Sequence, residues 1–193
     1  MKNSLKKRIM HCIILAGTIL SVCLYSCKKE KKEDETEDHV HKTATATLAP
    51  TYNDTLVSGT GTFTQTDNEA VTLKLDITVP SRANKSVAVH LHMMNDCGNK
   101  GSSAMGHWNP TNTTHGKFGV ASFHLGDIGN ISLDSKGHAS YEMTTDAWNI
   151  NGTDSTRNIV GRSIIIHSGV DDYVTQPAGN SGNRIGCGGI ILN

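Results

Sequence analysis

The central part of the chain is built from short runs in which hydrophobic and polar residues alternate. In "AVTLKLDITV", residues 70–79, every second side chain from Val71 to Val79 is apolar, and most of the residues between them are polar. Successive side chains of a β-strand point to opposite faces of the sheet. This run therefore predicts a strand with one face in a hydrophobic core and the other in water.

Similar runs recur along the chain, while helical periodicity is nearly absent. They are "TATATLA", "GTGTFTQT", "SVAVHLHM", "HASYEMTT", "RSIIIH" and "RIGCGGIIL". Turn sequences such as "TDNE", "DSKG" and "INGTD" separate several of them. Many short strands at fairly regular spacing predict an all-β sandwich or barrel. Two longer segments, residues 95–122 and 168–184, interrupt the rhythm, and loops of that length in a compact domain are typically functional.

The N-terminus has the pattern of an export signal. Four basic residues precede an apolar run over residues 9–25, and Ser26 and Cys27 follow. This order predicts a lipoprotein signal peptide, residues 1–26, with Cys27 as the lipidated new N-terminus. The alternative is an uncleaved membrane anchor, although the run is short for a span of ~20 residues. Either interpretation places the folded part outside the cytoplasm.

Residues 27–42 are rich in charge and poor in large apolar groups, which predicts a flexible tether. Its lysine-bearing acidic start resembles the surface-export signals of Bacteroidetes lipoproteins. We therefore expect a bacterial envelope protein held in the membrane by its lipid, either on the periplasmic side or on the outer-membrane surface. His39 and His41 in the tether are expected to be solvated, with metal binding as the alternative.

Residues 43–193 are long enough for one domain with one core. The whole chain carries 18 Lys and Arg residues and 18 Asp and Glu residues. The signal contains four of the basic residues and no acidic one, so the mature chain has a net charge of −4. No basic block suggests a nucleic-acid partner.

Five cysteines are present, and two of them leave with the signal while Cys27 takes the lipid. Cys97 and Cys187 remain. In an oxidising compartment such a pair predicts a disulfide, with two free buried thiols as the alternative. The bond would close a loop of about 90 residues, for which chain entropy gives at most ~4–5 kcal/mol.

Histidines are concentrated in and beside the two long loops. His90 and His92 are two residues apart in a predicted strand, so their imidazoles share a face. His138, beside the turn "DSKG", is expected to be solvated. Six histidines and one aspartate would fill two four-coordinate metal sites if one imidazole were shared, and imidazole suits copper and zinc. These seven residues are His90, His92, His107, His115, His124, His167 and Asp127.

Several motifs together resemble those of a known protein family. "HLH", "GHWNP", "HG", "FHLGDIGN", "GRSIIIH", "DD" and "GNRIGCG" resemble copper/zinc superoxide dismutase in order and in spacing, over nearly all of residues 43–193. The short second loop, "HSGVDDYVTQPAGNSGNR", is similar to the bacterial branch. The resemblance implies an eight-stranded Greek-key β-barrel with two long functional loops. It also implies one copper ion and one zinc ion per subunit, with superoxide as the substrate.

The resemblance also assigns roles to residues. It implies copper ligands His90, His92, His107 and His167, and zinc ligands His107, His115, His124 and Asp127. His107 would be the bridging imidazolate and would take part in proton transfer. Asp171 matches the aspartate that joins His90 to His115, and Arg184 matches the arginine that guides the anion. Cys97 and Cys187 match the disulfide pair of the family.

Three residues depart from the family pattern. Met93 stands where Glu is usual, Met105 where Gly is common, and Ala88 where Gly is usual. None of these changes removes a ligand, but they put loop geometry and channel width in question. We expect Met93 and Met94 to pack against neighbours rather than to bind metal.

Other functions are compatible with the same residues. The first alternative is a lipoprotein that buffers copper or zinc without catalysis, although storage does not need Arg184 or Asp171. A copper-only enzyme is opposed by the intact zinc ligands. A glycosylated secreted protein is suggested by N-x-S/T sequons, but the lipidation motif opposes it. The sequence is compatible with a monomer or with a homodimer.

Overall fold

A computed structural model describes residues 41–66 and 69–193. Nine β-strands are present in this part of the chain, together with short 3-10 helices at Pro80–Arg82 and Asn99–Ala104. The strands are β1 (Lys42–Pro50), β2 (Ser58–Gln65), β3 (Val71–Thr78), β4 (Ser86–His92), β5 (Gly129–Ser132), β6 (His138–Thr145), β7 (Ser163–His167), β8 (Arg184–Gly189) and β9 (Ile191–Leu192).

Eight strands form one antiparallel, nearly closed barrel in the order β5-β4-β7-β8-β1-β2-β3-β6. The neighbours β3–β6 and β4–β7 are far apart in sequence, and these crossed pairings define a Greek key. The two ends of the path, β5 and β6, are consecutive strands. The predicted all-β, eight-stranded Greek-key fold is confirmed. The ninth strand, β9, has two residues and pairs with β1.

The alternating pattern of β3 has the predicted effect on burial. Val71, Leu73, Leu75 and Ile77 are at most 1 % exposed, whereas Lys74 and Asp76 face solvent. Their apolar side chains fill the barrel together with Phe63, Trp148 and residues from the facing strands.

In contrast, β4 and β7 are buried on both faces. Val89 and Leu91 point into the barrel core, while the intervening His90 and His92 are 0 % and 1 % exposed. Burial on both sides requires something to cover the outer face of the barrel at these strands. The two long loops provide that cover, so they define an enclosed space outside the core.

The disulfide between Cys97 and Cys187 is present, with the two Cα atoms 5.7 Å apart. The alternative of two free thiols is therefore excluded. The bond attaches the first long loop to the middle of β8. Cys187 also packs with Ala104 and Ile165 in a small apolar cluster separate from the barrel core.

The predicted signal, the lipidated Cys27 and His39 lie outside the described residues. The described chain includes His41, and β1 begins at Lys42, the last residue that the sequence assigned to the tether. Among the described residues, no helix is long and apolar enough to span a membrane.

Candidate metal centre

The outer face of the barrel holds four histidines that converge on one point. His90 and His92 come from β4 and share its outer face. His107 forms an isolated antiparallel bridge with His92, which places their rings 5.0 Å apart. His167 ends β7, where the pairing with β8 shifts register between Ile166 and His167. A bulge of this kind re-aims a side chain, and here the ring of His167 lies 4.9 Å from that of His90.

We call His90, His92, His107 and His167 the first cluster. All four are buried, and one candidate ligand atom from each lies within 4.8 Å of the others. Two ligands of one ion at ~2.1 Å can be at most ~4.2 Å apart. The spacing is therefore close to that of a coordination sphere.

The second cluster consists of His107, His115, His124 and Asp127, and its ligand atoms also lie within 4.8 Å of one another. Asp127 Oδ1 is 2.8 Å from His107 Nδ1 and 3.3 Å from His124 Nδ1, and its Oδ2 is 3.0 Å from His115 Nδ1. His107 belongs to both clusters. The structure thus brings together all seven residues that the sequence singled out, with one shared imidazole.

The ring nitrogens show whether these clusters fit metal ions. Each of the six histidines has a buried nitrogen without a hydrogen-bond partner among the described residues: His90 Nδ1, His92 Nε2, His107 Nε2, His115 Nδ1, His124 Nδ1 and His167 Nε2. An unsatisfied buried polar atom is costly. Six in one place would be a large penalty unless ions occupied them, so the residues fit two bound metals.

Hydrogen bonds on the other ring nitrogens orient these free nitrogens. His90 Nε2 and His115 Nε2 lie 2.8 Å and 2.9 Å from the two carboxylate oxygens of Asp171. His92 Nδ1 donates to the carbonyl of Met105 at 2.9 Å, and His167 Nδ1 donates to the carbonyl of Gly182 at 3.2 Å. Such partners fix the tautomer and leave the opposite nitrogen as a ligand.

The ionisation of the site favours cation binding. Burial lowers the pKa of His107 to about 4, with a further contribution from neighbouring His90, although Asp127 acts to raise it. Burial and His90 lower the pKa of His167 to about 3. For Asp127, burial alone would raise the pKa, but hydrogen bonds from the ring of His107 and from the backbone amides of His124 and Gly116 hold it well below its ordinary value. Neutral imidazoles and an ionised carboxylate are the states that bind metal.

An open cleft of about 270 Å³ leads to the first cluster. His92, His107 and His167 form part of its lining, and Arg184 contributes the positive charge. Arg184 Nη1 donates to the carbonyl of Gly101 at 2.7 Å, which anchors the guanidinium. Burial lowers the pKa of Arg184, yet a guanidinium remains charged at any accessible pH.

Several supporting residues had no signal in the sequence. Asn130 makes a two-way amide contact with the backbone of Asp171, at 2.8 Å and 2.7 Å. Gln176 does the same with the backbone of His115, at 2.8 Å and 3.0 Å, and so joins the two long loops. Gly179 has φ +65°, and a Cβ there would lie 1.8 Å from Asp171 Oδ1. Asparagine, glutamine and glycine are common outside functional sites, so only tertiary contacts identify these three.

The remaining described histidines lie outside both clusters. His138 is partly exposed and pairs with Asp76 at 3.0 Å on the barrel surface. His41 Nδ1 is 3.4 Å from the carbonyl of Gln65.

The comparison with protein families decides the identity. Residues 57–190 match the family model for copper/zinc superoxide dismutase (SODC). The chain belongs to the copper/zinc superoxide dismutase family. This membership implies copper and zinc as cofactors, and both clusters are compatible with them.

Individual relatives agree with that membership. A copper–zinc superoxide dismutase from Schizosaccharomyces pombe is 36% identical over 148 residues, which cover 73% of this chain and 94% of the relative. The Podospora anserina protein of the same name is 34% identical over 153 residues, covering 76% and 97%.

Two solved structures extend the similarity to the fold. The clock protein EA4 matches with a TM-score of 0.68 and 27% identity, over 78% of this chain and 94% of that one. A double mutant of an SOD-like protein from Bacillus subtilis matches with a TM-score of 0.67 and 29% identity, over 76% and 96%.

The departures from the family pattern are accommodated without displacing a cluster residue. Ala88 is fully buried in β4 and its amide donates to the carbonyl of Gly169 at 2.8 Å. Met105 adopts φ +66° and still presents its carbonyl to His92. The expectation that Met93 and Met94 are packed differs from the structure, in which they are 43% and 48% exposed.

Proposed function

We propose that this protein is a superoxide dismutase, which converts two superoxide ions and two protons to oxygen and hydrogen peroxide. In this proposal the first cluster holds copper and the second holds zinc. The single observation that carries it is the position of His107, whose two ring nitrogens belong to different clusters at the base of an open, positively charged cleft. No simpler metal-binding role requires one imidazole to be shared.

Bound copper would supply reversible one-electron transfer, and zinc, which has no redox chemistry, would supply a fixed charge. The protein supplies the rest. Asp171 holds His90 and His115 in one tautomer, and Asp127 keeps a negative charge beside His107. The unpartnered Nε2 of His107 faces the cleft-side cluster, where it can hold a proton and deliver it to the departing peroxide.

Arg184 is proposed to attract and orient the substrate. It lies in the lining of the cleft, and the hydrogen bond to Gly101 restricts its position. A fixed positive charge at a narrow opening raises the encounter rate with a small anion, an effect for which superoxide dismutase is a well-known example.

The direct test is turnover by the full-length protein loaded with one copper and one zinc ion. We expect a dismutation rate far above that of a protein-free sample with the same copper concentration, when both samples contain a chelator. A protein that binds both ions but shows only the free-ion rate would instead be a metal buffer, and this proposal would be wrong.

Metal analysis separates the two-metal site from a copper-only site. We expect about one equivalent of each ion per chain after dialysis. Copper near one equivalent with zinc below a tenth would contradict the role proposed for His115, His124 and Asp127. A matched His138→Ala variant should leave both equivalents unchanged, because His138 lies outside the clusters.

We further propose that the enzyme is a bacterial lipoprotein anchored through Cys27, on the periplasmic side or on the outer-membrane surface. The support is the order of basic residues, apolar run, Ser26 and Cys27 in the sequence. Expression with a labelled fatty acid should label the wild type and not Cys27→Ser. Protease treatment of intact cells then separates the two locations. An unlabelled wild type would refute the anchor.

A further inference from the structure

Three exposed methionines, which we call the methionine rim, lie beside the cleft lining in the chain, because Met93 follows His92 and Met105 precedes Gly106. They have no part in the proposed reaction. Met93, Met94 and Met105 are 43%, 48% and 55% exposed. The fourth methionine of the described chain, Met143, is half-buried against the barrel core. Packing within the described chain does not account for these three exposed side chains, and exposed apolar groups that lie together are a feature of interaction sites.

Backbone pairing brings these three residues together. The bridge between His92 and His107 continues outward, because Met93 N donates to Gly106 O and Met94 N donates to Ala104 O, both at 3.1 Å. Met105 lies between these two acceptors. The three residues therefore lie on two paired backbone segments. Methionine has three rotatable bonds, so each thioether can adjust its position.

The backbone of Met105 is strained. Its φ of +66° and ψ of −153° fall in a region that glycine occupies almost alone, at a cost of ~1–3 kcal/mol for other residues. Strained residues of this kind are concentrated at functional sites. The carbonyl of the same residue accepts the hydrogen bond of His92 Nδ1, so the exposed thioether belongs to a residue that directly contacts the first cluster.

Thioethers are soft, uncharged ligands that select Cu(I) over zinc. Arg162 Nη1 donates to the carbonyl of Met93 at 2.8 Å, and its guanidinium lies over the ring of Trp108. Its hydrogen bond fixes the Met93 backbone without using the sulfur. The rim thus offers three sulfur atoms suited to a monovalent soft ion.

We propose that Met93, Met94 and Met105 form a surface site that captures Cu(I) and passes it to the first cluster. Gly106, the neighbour of Met105, lines the cleft, so the route is short. The transfer is a ligand exchange from sulfur to imidazole nitrogen, with no change in the oxidation state of copper. Capture does not depend on the proposed enzymatic function, whereas the delivery step rests on it.

Capture is tested by NMR of full-length protein labelled with carbon-13 at the methionine methyl groups. The protein is loaded with zinc and reduced copper, so that it is diamagnetic and the clusters are filled, and Ag(I) is added as a redox-inert probe. The signals of Met93, Met94 and Met105 should shift together and saturate at one equivalent, with Met143 unchanged. Zn(II) should cause no shift. Unmoved signals, or an equal shift of Met143, would overturn the proposal.

Delivery is tested with the double variant Met93→Leu/Met94→Leu, which keeps apolar side chains of similar size. Copper-free, zinc-loaded protein receives limiting Cu(I) from a competing chelator, and filling of the first cluster is followed by visible absorption after oxidation. We expect loading about 10-fold slower or more, because two of the three proposed capture ligands are removed and such losses weaken metal binding by at least that factor. Met143→Leu should load at the wild-type rate.

Equal loading rates for the wild type and the double variant would overturn delivery. Activity of the double variant after loading with excess copper should equal that of the wild type. If wild-type protein with both metals showed no turnover, the proposed function would fail, but the Ag(I) titration would still decide whether the methionine site exists.

Discussion

At the scale of single residues, the site depends on which nitrogen of each imidazole is taken by a hydrogen bond. Asp171 occupies one nitrogen of His90 and one of His115 with the two oxygens of a single carboxylate. The opposite nitrogens are then directed into different clusters. One carboxylate thereby fixes the ring orientation of one histidine in each cluster, so it couples the geometry of the two sites.

Substitution of His107 tests whether its imidazole is shared between the two metal sites. We expect His107→Ala to remain folded, because the barrel core does not include this residue, but to lose dismutase activity by about 100-fold or more, the range for loss of a proton-transfer group. Circular dichroism and rate measurements on protein loaded with both metals check this. His138→Ala is the matched control with an exposed imidazole removed. Wild-type activity in His107→Ala would refute the bridging role.

Arg184 tests the role of charge at the cleft. Arg184→Ala should lower the second-order rate by about 10-fold or more, because steering contributes 10–10³ to encounter rates. The dependence of the rate on ionic strength should also flatten, whereas Arg184→Lys should keep part of both effects. Stopped-flow rates at several salt concentrations measure them. An unchanged rate and salt slope in Arg184→Ala would count against steering.

At the scale of elements, β4 and the two long loops have different roles in the metal centre. The strand holds His90 and His92 rigidly, since its other face is locked into the core by Val89 and Leu91. The other five cluster residues lie in the two loops or at the borders of the loops. Gln176 and the disulfide hold the loops in place. A rigid strand with pinned loops gives the precision that metal geometry requires.

Gly179 tests how tightly the second loop packs on the site. An alanine Cβ at Gly179 would overlap Asp171 Oδ1 and come within 2.6 Å of His115 Nε2. We expect Gly179→Ala to weaken zinc binding by roughly 10–100-fold, measured by chelator competition. Gly161→Ala is the matched control, because Gly161 also has a positive φ but open space around it. Equal zinc affinities in the two variants would show that the overlap with Asp171 does not weaken zinc binding.

At the scale of the whole molecule, the disulfide links distant parts of the chain. Cys187→Ser should lower the melting temperature by about 10 °C, because the lost cross-link is worth at most ~4–5 kcal/mol. Calorimetry under oxidising conditions measures this. A reductant should lower the melting temperature of the wild type and not that of the variant. Equal melting temperatures without reductant would mean that the bond adds no stability.

The cluster histidines also make the stability of the metal-free protein depend on pH. The folded pKa values of His107 and His167 are about 4 and about 3, below the ordinary value of 6.5. Between pH about 6.5 and about 4, the unfolded chain therefore binds more protons than the folded protein. The free energy of unfolding falls as the pH falls through this range. Urea unfolding of metal-free protein should show a lower free energy of unfolding at pH 5.0 than at pH 7.5. A value independent of pH would contradict the buried, neutral histidines.

The sequence by itself indicated every strand of the described chain except the short β5, together with the core face of β3 and the seven residues of the two clusters. Alternation with a period of two is a local property, and burial follows from it directly. The ordered histidine motifs similarly specify the residues that meet, because a metal site needs particular side chains. The disulfide followed from counting cysteines in an oxidising compartment.

Only the tertiary structure decided what supports those residues. The amide pairs of Asn130 and Gln176, the space that Gly179 leaves for Asp171, and the exposure of Met93, Met94 and Met105 depend on segments far apart in the chain. Their residue types are ordinary outside functional sites, so no local pattern distinguishes them. A hydrogen bond or a close approach between remote segments exists only after the chain has folded, and for that reason the sequence could not show it.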